Sequence, residues 1–450
     1  MDFTAEVERS LRVLDGAVVI FCGVGGVEAQ SETVWHQADR YQVPRIAYIN
    51  KLDRSGSGID HVLEEMRERL DTNPLPLQIP AGCEEAFRGV VDLVTMQMLS
   101  FDEATLGATV IEDTIPAEHE EDAQMARLQL LEAVADASDA LAEKYLNEES
   151  LTPEEIRDGI RTLVLTHKAV PVLCGSSLRN KGVQPLLDAI VRYLPSPKDV
   201  PPMRGHDPAD PDTAIDCPPS RRDPLAALAF KVVEDAHGAL SFVRIYSGEL
   251  KEGQRIIVAK NGRKERASRI WRMHADNRER EKLVGPGQIV AVTGFKFAVT
   301  GDTLCAEDRL VELEPPRFPA TVISMAIEPR TNEDRDRLSD VLAKLTREDP
   351  TFQYSTNPET GQLVISGMGE LHLEVIRKRI TRDHRVEANV GTPRVTYRES
   401  VRSAGRGEAT YEQTLGGRGH YARVAVEIEP QSEQTEPLID IAASDLQIPK

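Results

Sequence analysis

Asn50, Lys51 and Asp53 follow directly on the apolar run Arg45-Ile46-Ala47-Tyr48-Ile49, and together they suit the reading of a guanine base. Guanine presents O6, N1–H and an exocyclic N2 amine. A carboxylate can accept from N1–H and N2–H together, which fits Asp53. Asn50 can serve the O6 and N7 side and tie its own loop together. Lys51 can lay its apolar stem over the base face. Hydrogen bonds to a charged group contribute about 1.5–3 kcal/mol each. A buried site that demands them rejects the wrong base by roughly 10⁴. A surface loop after a strand is the plain alternative, and the strand context favours base recognition. A second segment, Ser176-Ser177-Leu178, follows another buried-strand run, Ala169 to Cys174. Its loop can offer a backbone N–H to O6, and Gly175 lets it approach closely. A serine cap on the following helix explains the same residues without a ligand. The phosphate-holding motif Gly-x-x-x-x-Gly-Lys-Ser/Thr occurs nowhere in the 450 residues.

Two further segments carry reactive side chains. Gly416-Gly417-Arg418-Gly419-His420-Tyr421 joins backbone freedom, a cation and an aromatic ring. Such a loop can lie along a phosphate backbone or a stacked base, and an ordinary hairpin turn fits the spacing equally. Gly367-Met368-Gly369-Glu370-Leu371-His372 opens a helix, where His372 reads as a packing or capping residue. Trp35 and Trp271 read as core or interface.

These residues need elements to hold them. Phe3, Val7, Leu11 and Leu14 recur at helical spacing, and Ala17–Cys22 is a buried-strand run. Gln30 to Tyr41 reads as a helix, and Pro44 opens the strand that delivers Asn50. Helix and strand alternating at this spacing imply parallel strands with crossover helices. Such sheets bind ligands at the carboxyl ends of their strands. The expected organisation is a GTP-binding-domain remainder over 1–197, with an insertion over about 72–166. A Pro- and Asp-rich linker over 198–224 comes next. A β-barrel over 225–314 is expected from short runs between Gly turns. A ferredoxin-like β-α-β-β-α-β unit is expected over 318–392. A partial α+β domain starts at 393 and runs to 450.

Composition narrows the class. Net charge is −20, which on its face argues against a nucleic-acid partner. The charge is segregated, however. Residues 102–158 hold 17 Asp and Glu against Arg127, Lys144 and Arg157, whereas Arg394 to Arg423 holds six Arg against three Glu. Solvated surface explains both runs without a partner. Five scattered cysteines without a C-x-x-C pair point to reduced thiols in a cytosolic protein, not to structural zinc or a disulfide framework. No apolar stretch approaches the roughly 20 residues of a membrane span, and residues 1–6 do not form a signal peptide.

The chain resembles elongation factor G, a translational GTPase, over essentially its whole length. The segments that carry the resemblance are Asp2–Ala17, Gly25–Trp35, Asn50–Asp53, Asn180–Asp188, Gly367–His372 and Gly416–Gly419. The resemblance implies a G domain with an inserted subdomain, a β-barrel, a small α+β domain and a fourth domain reaching the decoding region. It implies GTP or GDP as ligand, with Mg2+ in the full-length protein. It implies the ribosome as partner, through rRNA, the stalk protein and tRNA–mRNA near the glycine-arginine loop. A cytoplasmic protein, monomeric when free, is expected. Two motifs depart from the family pattern. Ser176-Ser177 stands where Ser-Ala is usual, and His420-Tyr421-Ala422 where Gln-Tyr-Gly is usual.

In the family, the phosphate loop, the first switch and an Asp-x-x-Gly-His segment precede the position of Asp2. The expectation is therefore a fragment of a ribosome-dependent GTPase that promotes translocation, with no catalytic residue or metal ligand assigned within it. A recycling paralogue, or a non-catalytic guanine- or ribosome-binding protein, is the alternative. The isolated chain is expected to show no ribosome-stimulated GTP hydrolysis and only weak GDP binding. Turnover above background that Asp53→Asn abolishes would contradict the first expectation. Tight, magnesium-dependent binding of labelled GDP would contradict the second.

Overall fold

The computed structural model describes residues 4–235, 238–275, 277–316, 318, 320–394, 401–415 and 418–430. The amino-terminal unit alternates α1 (Thr4–Leu11), β1 (Ala17–Cys22), α2 (Ala29–Arg40), β2 (Arg45–Asn50), α3 (Asp60–Leu70) and β3 (Pro74–Pro76). An antiparallel sheet follows, made of β4 (Gln78–Ala81), β5 (Gly89–Asp92), β6 (Gln97–Phe101) and β7 (Val110–Asp113). Then come α4 (Ala117–Ala135), α5 (Asp139–Leu146), α6 (Pro153–Leu165), β8 (Val170–Cys174) and α7 (Val183–Tyr193). Strands β1, β2, β8 and β3 lie side by side, all parallel, in that order. The run Ile46–Ile49 is uninterruptedly apolar because β2 is central and covered on both faces.

The expected insertion, 72–166, takes in β3 at its start and α6 at its end, and both pack on the central sheet. β3 belongs to the central sheet, and α6 buries Ile156, Ile160 and Leu163 in one cluster with Ile46, Tyr48 and Leu173. Pro74 and Pro76 disguise β3 as a breaker. Proline lacks an N–H and is best tolerated at a sheet edge, which is the position β3 takes. α6 starts sharply because Thr152 and Glu155 form a reciprocal capping box with Pro153 at the first turn.

The expected linker, 198–224, is also corrected. β9 (Met203–Asp207) and β10 (Asp210–Cys217) pair antiparallel. They show no apolar alternation because little of them is buried: Met203, Ile215 and Cys217 alone join the cluster around Leu313. The remaining strands of this unit are β11 (Ala226–Asp235), β12 (Gly238–Ser247), β13 (Leu250–Lys251), β14 (Arg255–Val258), β15 (Arg263–Arg266), β16 (Arg269–His274), β17 (Asn277–Glu281), β18 (Leu283–Val284), β19 (Ile289–Thr293), β20 (Thr303–Cys305) and β21 (Glu312–Leu313). β21 adds to β9. Eight of the strands form one antiparallel sheet, ordered β15-β14-β20-β11-β12-β19-β16-β17. Ile256 and Ile270 stand far apart in that order yet share one core, so the sheet curls into a barrel-like form. β15 has no apolar signature in the sequence because its one buried side chain is a glutamate. Glu265 is satisfied by the N–H groups of Lys296, Phe297 and Ala298 at 2.5–3.1 Å.

The third unit is β22 (Ile323–Pro329), α8 (Asn332–Glu348), β23 (Gln353–Thr356), β24 (Leu363–Gly367), α9 (Glu370–Arg382) and β25 (Ala388–Gly391), with sheet order β23-β24-β22-β25. This is the ferredoxin-like arrangement. His372 is a buried packing residue. Its Nδ1 accepts from Met368 N–H at 3.2 Å and its Nε2 lies 3.0 Å from Asp349 Oδ2. Burial pushes the Asp349 carboxyl up, but hydrogen bonds from His372 and Thr351 outweigh it and hold the group below its ordinary range. A final hairpin pairs β26 (Gly405–Leu415) with β27 (Arg418–Ile428). Among the described residues no helix is long and apolar enough to cross a membrane.

The units are joined by polar contacts, most of them partly buried. Arg244 pairs with Asp15 at 2.6 Å, and Arg12 donates to Glu314 O at 2.8 and 3.0 Å. At the end of α8, Glu348 accepts from Glu234 N–H at 2.7 Å and from Arg379 at 2.6 Å, while Arg347 donates to Ala298 O and Phe295 O, both at 2.9 Å. Glu348→Ala leaves the Glu234 N–H and the Arg379 guanidinium without that acceptor, at a cost of about 1–3 kcal/mol. Amide hydrogen exchange is expected to accelerate at Glu234 and along α8, and to stay unchanged around Asn50. Uniform acceleration across the chain would show that the contact is not local.

Candidate guanine-binding site

The candidate site forms where β1, β2 and β8 end. β1 and β2 run in register to Cys22 opposite Asn50, and Gly23 N–H donates to Asn50 O at 2.8 Å. Gly175, after β8, donates to Ile49 O at 2.9 Å and accepts from Leu52 N–H at 3.2 Å. Backbone hydrogen bonds thus hold the two loops against each other before any side chain contributes.

Asn50 completes the tie. Its Oδ1 accepts from Lys51 N–H at 2.8 Å and from Ser177 N–H at 2.9 Å, and its Nδ2 donates to Ser177 Oγ at 2.9 Å. Lys51 sits in the left-handed region at φ 68°, which turns the chain sharply out of β2 and leaves its side chain exposed. Asp53 is partly exposed, with Oδ2 3.7 Å from Arg179 Nε. Ser176 is buried, its backbone exchanging hydrogen bonds with Lys181 at 2.8 and 2.9 Å. Leu178 points its side chain into solvent. Among the described residues no acceptor takes the Leu178 N–H, whereas the N–H groups of Ser176 and Ser177 are engaged within the protein.

Asn50, Lys51, Asp53 and the Ser176–Leu178 segment, separated by more than a hundred residues of sequence, therefore meet at one end of the sheet. Gly175 lets the loop after β8 fold back closely over Tyr48. A Cβ there would stand 2.3 Å from both Lys181 O and the Tyr48 hydroxyl. Burial pushes that hydroxyl up, so it stays neutral while donating to Lys181 O at 3.3 Å.

Two site residues are not visible as motifs. Glu84, in the expected insertion, accepts from Gly56 N–H at 2.7 Å and donates its own N–H to Leu52 O at 3.1 Å, bracing the loop that follows Asn50. Arg179 is the other, and nothing in its local spacing marks it. Cys22 lies at the rim. Burial pushes its thiol up, but hydrogen bonds from the Gly25 and Val24 N–H groups, with the charge of Lys51, more than offset this and leave it below the ordinary thiol range.

The second candidate segment, Gly416–Tyr421, reads differently in the structure. Gly419, His420 and Tyr421 lie within β27 rather than in a loop, because the β26–β27 ladder continues to Leu415 opposite Arg418. Tyr421 is exposed and stands opposite Glu412. Gly416 and Gly417, and the side chain of Arg418, lie outside the described residues.

This fold and these loops have counterparts among known proteins. Residues 1–196 match the elongation factor Tu GTP binding domain. Residues 238–305 match elongation factor Tu domain 2, and residues 318–392 match elongation factor G, domain III. The chain belongs to the elongation factor G-like translational GTPases. A crystal structure of a protein from Thermus thermophilus is similar, with a TM-score of 0.79 and 28% identity, over 96% of this chain and 62% of that one. This elongation factor G-like chain thus spans less than two thirds of the length of that protein. The 1–196 match includes both loops of the site.

The geometry makes a direct prediction for the translational GTPase fold. Gly175→Ala is expected to force the two loops apart and to destabilise the chain by roughly 1–3 kcal/mol, as overpacking does. Asn50→Ala, which removes the three side-chain bonds without adding bulk, should cost a similar amount but leave the Gly175 backbone contacts in place. Urea denaturation with both variants checks this, and unchanged midpoints would show that the loops are not held as described.

Proposed function

We propose that the chain binds GDP and GTP through the base-reading loops Asn50–Asp53 and Ser176–Leu178. We further propose that it belongs to a ribosome-dependent GTP hydrolase promoting movement of tRNA and mRNA on the ribosome. The observation that carries the reading is the convergence of Asn50, Asp53 and the Leu178 N–H at the carboxyl ends of β2 and β8. A guanine base there gives N1–H and N2–H to Asp53 and receives the Leu178 N–H at O6, while Lys51 covers one face. Adenine offers an amine where the N–H donor expects an acceptor, and no donor edge for Asp53.

The residues present fit the base of a guanine nucleotide. Among the described residues no group of three or more His, Cys, Asp and Glu could hold a metal ion. The three family matches support a ribosomal partner; a cytoplasmic location, and Gly416–Tyr421 as the RNA-facing part, complete the proposal.

The test exchanges the hydrogen-bonding sense of Asp53. Xanthine carries a carbonyl where guanine carries its N2 amine, and an amide side chain can donate to it. Asp53→Asn is expected to weaken GDP binding by roughly 10- to 100-fold and to strengthen binding of xanthosine diphosphate. Calorimetric titration of both nucleotides reads the exchange. Equal losses for the two would remove Asp53 from base recognition.

A further inference from the structure

Arg179 stands beside the carboxylate assigned to the base. Its Nε lies 3.7 Å from Asp53 Oδ2, with the Asp53 side chain 19% exposed and that of Arg179 69% exposed. The Arg179 N–H is held by Ser176 Oγ at 3.4 Å, so the guanidinium springs from the same loop that Asn50 ties down. Among the described residues Asp53 has no other ion pair or side-chain hydrogen bond.

The chemistry of the two groups that want Asp53 is closely matched. A guanidinium is a carbon bearing three nitrogens, with N–H donors in a planar fork that fits a carboxylate. The donor edge of guanine, N1–H and the N2 amine on C2, is the same fragment built into a ring. Arg179, whose Nε stands at ion-pair rather than hydrogen-bond distance, and the base therefore compete for the charge of the same carboxylate. We propose that Arg179 is a placeholder that occupies Asp53 while the base is absent and must swing aside for guanine to enter. This rests on the guanine reading of Asp53 given above.

The consequence is an exchange rather than a simple capture. Apparent affinity is lowered by the fraction of molecules in which Asp53 is already taken. Exposure of the arginine keeps that penalty small and sensitive to salt. A base with the matching donor edge recovers what displacing the arginine costs. Adenine has no such edge and recovers nothing, so the preference rests on the donor edge while the placeholder lowers affinity.

The experiment titrates GDP into the 450-residue chain and its Arg179→Ala, Arg179→Lys, Asp53→Asn and doubly substituted variants, at low and high salt. Arg179→Ala is expected to bind GDP about two- to fivefold tighter at low salt. That gain should shrink as salt rises and vanish on the Asp53→Asn background. Arg179→Lys, which keeps the charge but loses the fork, should fall between wild type and Arg179→Ala. Unchanged thermal unfolding of the Arg179 variants would exclude a general loss of structure. Unchanged or weaker GDP binding by Arg179→Ala, with Asp53→Asn still abolishing guanine preference, would overturn the placeholder and leave the base assignment standing. GDP binding indifferent to Asp53→Asn would overturn both.

Discussion

The site depends on one side-chain amide. Asn50 accepts two N–H groups and donates to a hydroxyl, and these three bonds join the end of β2 to the loop after β8. An amide is suited to the position because it offers a donor and an acceptor in one plane. Aspartate there could accept the same two N–H groups, but it could never supply the donor that Ser177 Oγ receives. Once Asn50 is fixed, Lys51 leaves the strand in a left-handed turn and Asp53 faces the gap between the loops. The orientation of the base-reading carboxylate is thus inherited from a bond made three residues earlier.

The sheet makes that bond possible. Parallel strands ending together place their outgoing loops side by side, and β1, β2 and β8 do so with the backbone contacts of Gly23 and Gly175 already in place. Tyr48 and Gly175 set the depth of the approach, since no side chain fits between Gly175, the Tyr48 hydroxyl and Lys181 O. The β4–β7 segment braces both loops from outside: Glu84 holds the Asn50 side, and Phe87 O and Leu106 O accept from Lys181 Nζ and Asn180 Nδ2 on the other.

Much of this is legible in the sequence, for identifiable reasons. β2 and β8 declare themselves because strands covered on both faces are apolar throughout. The ferredoxin-like unit is legible because its helices are long and carry periodic Leu and Ile. The failures share a cause as well. β3 is hidden by prolines that an edge position tolerates, β9 and β10 by the exposure of most of their residues, and β15 by a buried glutamate in place of an apolar residue. In each case tertiary pairing supplies what local pattern lacks. For the Gly416–Tyr421 segment a hairpin turn is an equal reading of the sequence, and β26 and β27 do pair as a hairpin, from Leu415 opposite Arg418 outward. Arg179 and Glu84 carry no local signal, since their roles arise only when distant loops meet.

The same frame extends from the base loops into the barrel-like unit. Gly23 N–H holds Asn50 O at one end of β1. At the other end, the turn that follows α1 carries Asp15, which pairs with the buried Arg244 of β12. Arg12 adds its bonds to Glu314 O and shares the Tyr246 hydroxyl. Breaking a buried charged pair by moving one partner leaves an uncompensated charge, a cost of several kcal/mol. A displacement of α1 relative to β12 must therefore either carry the barrel with it or leave Arg244 buried without Asp15. Of these, carrying the barrel is the less costly, because β1 and α1 are short, directly connected and anchored at both ends. The segment that frames the base is accordingly also the segment that ties the first two units together.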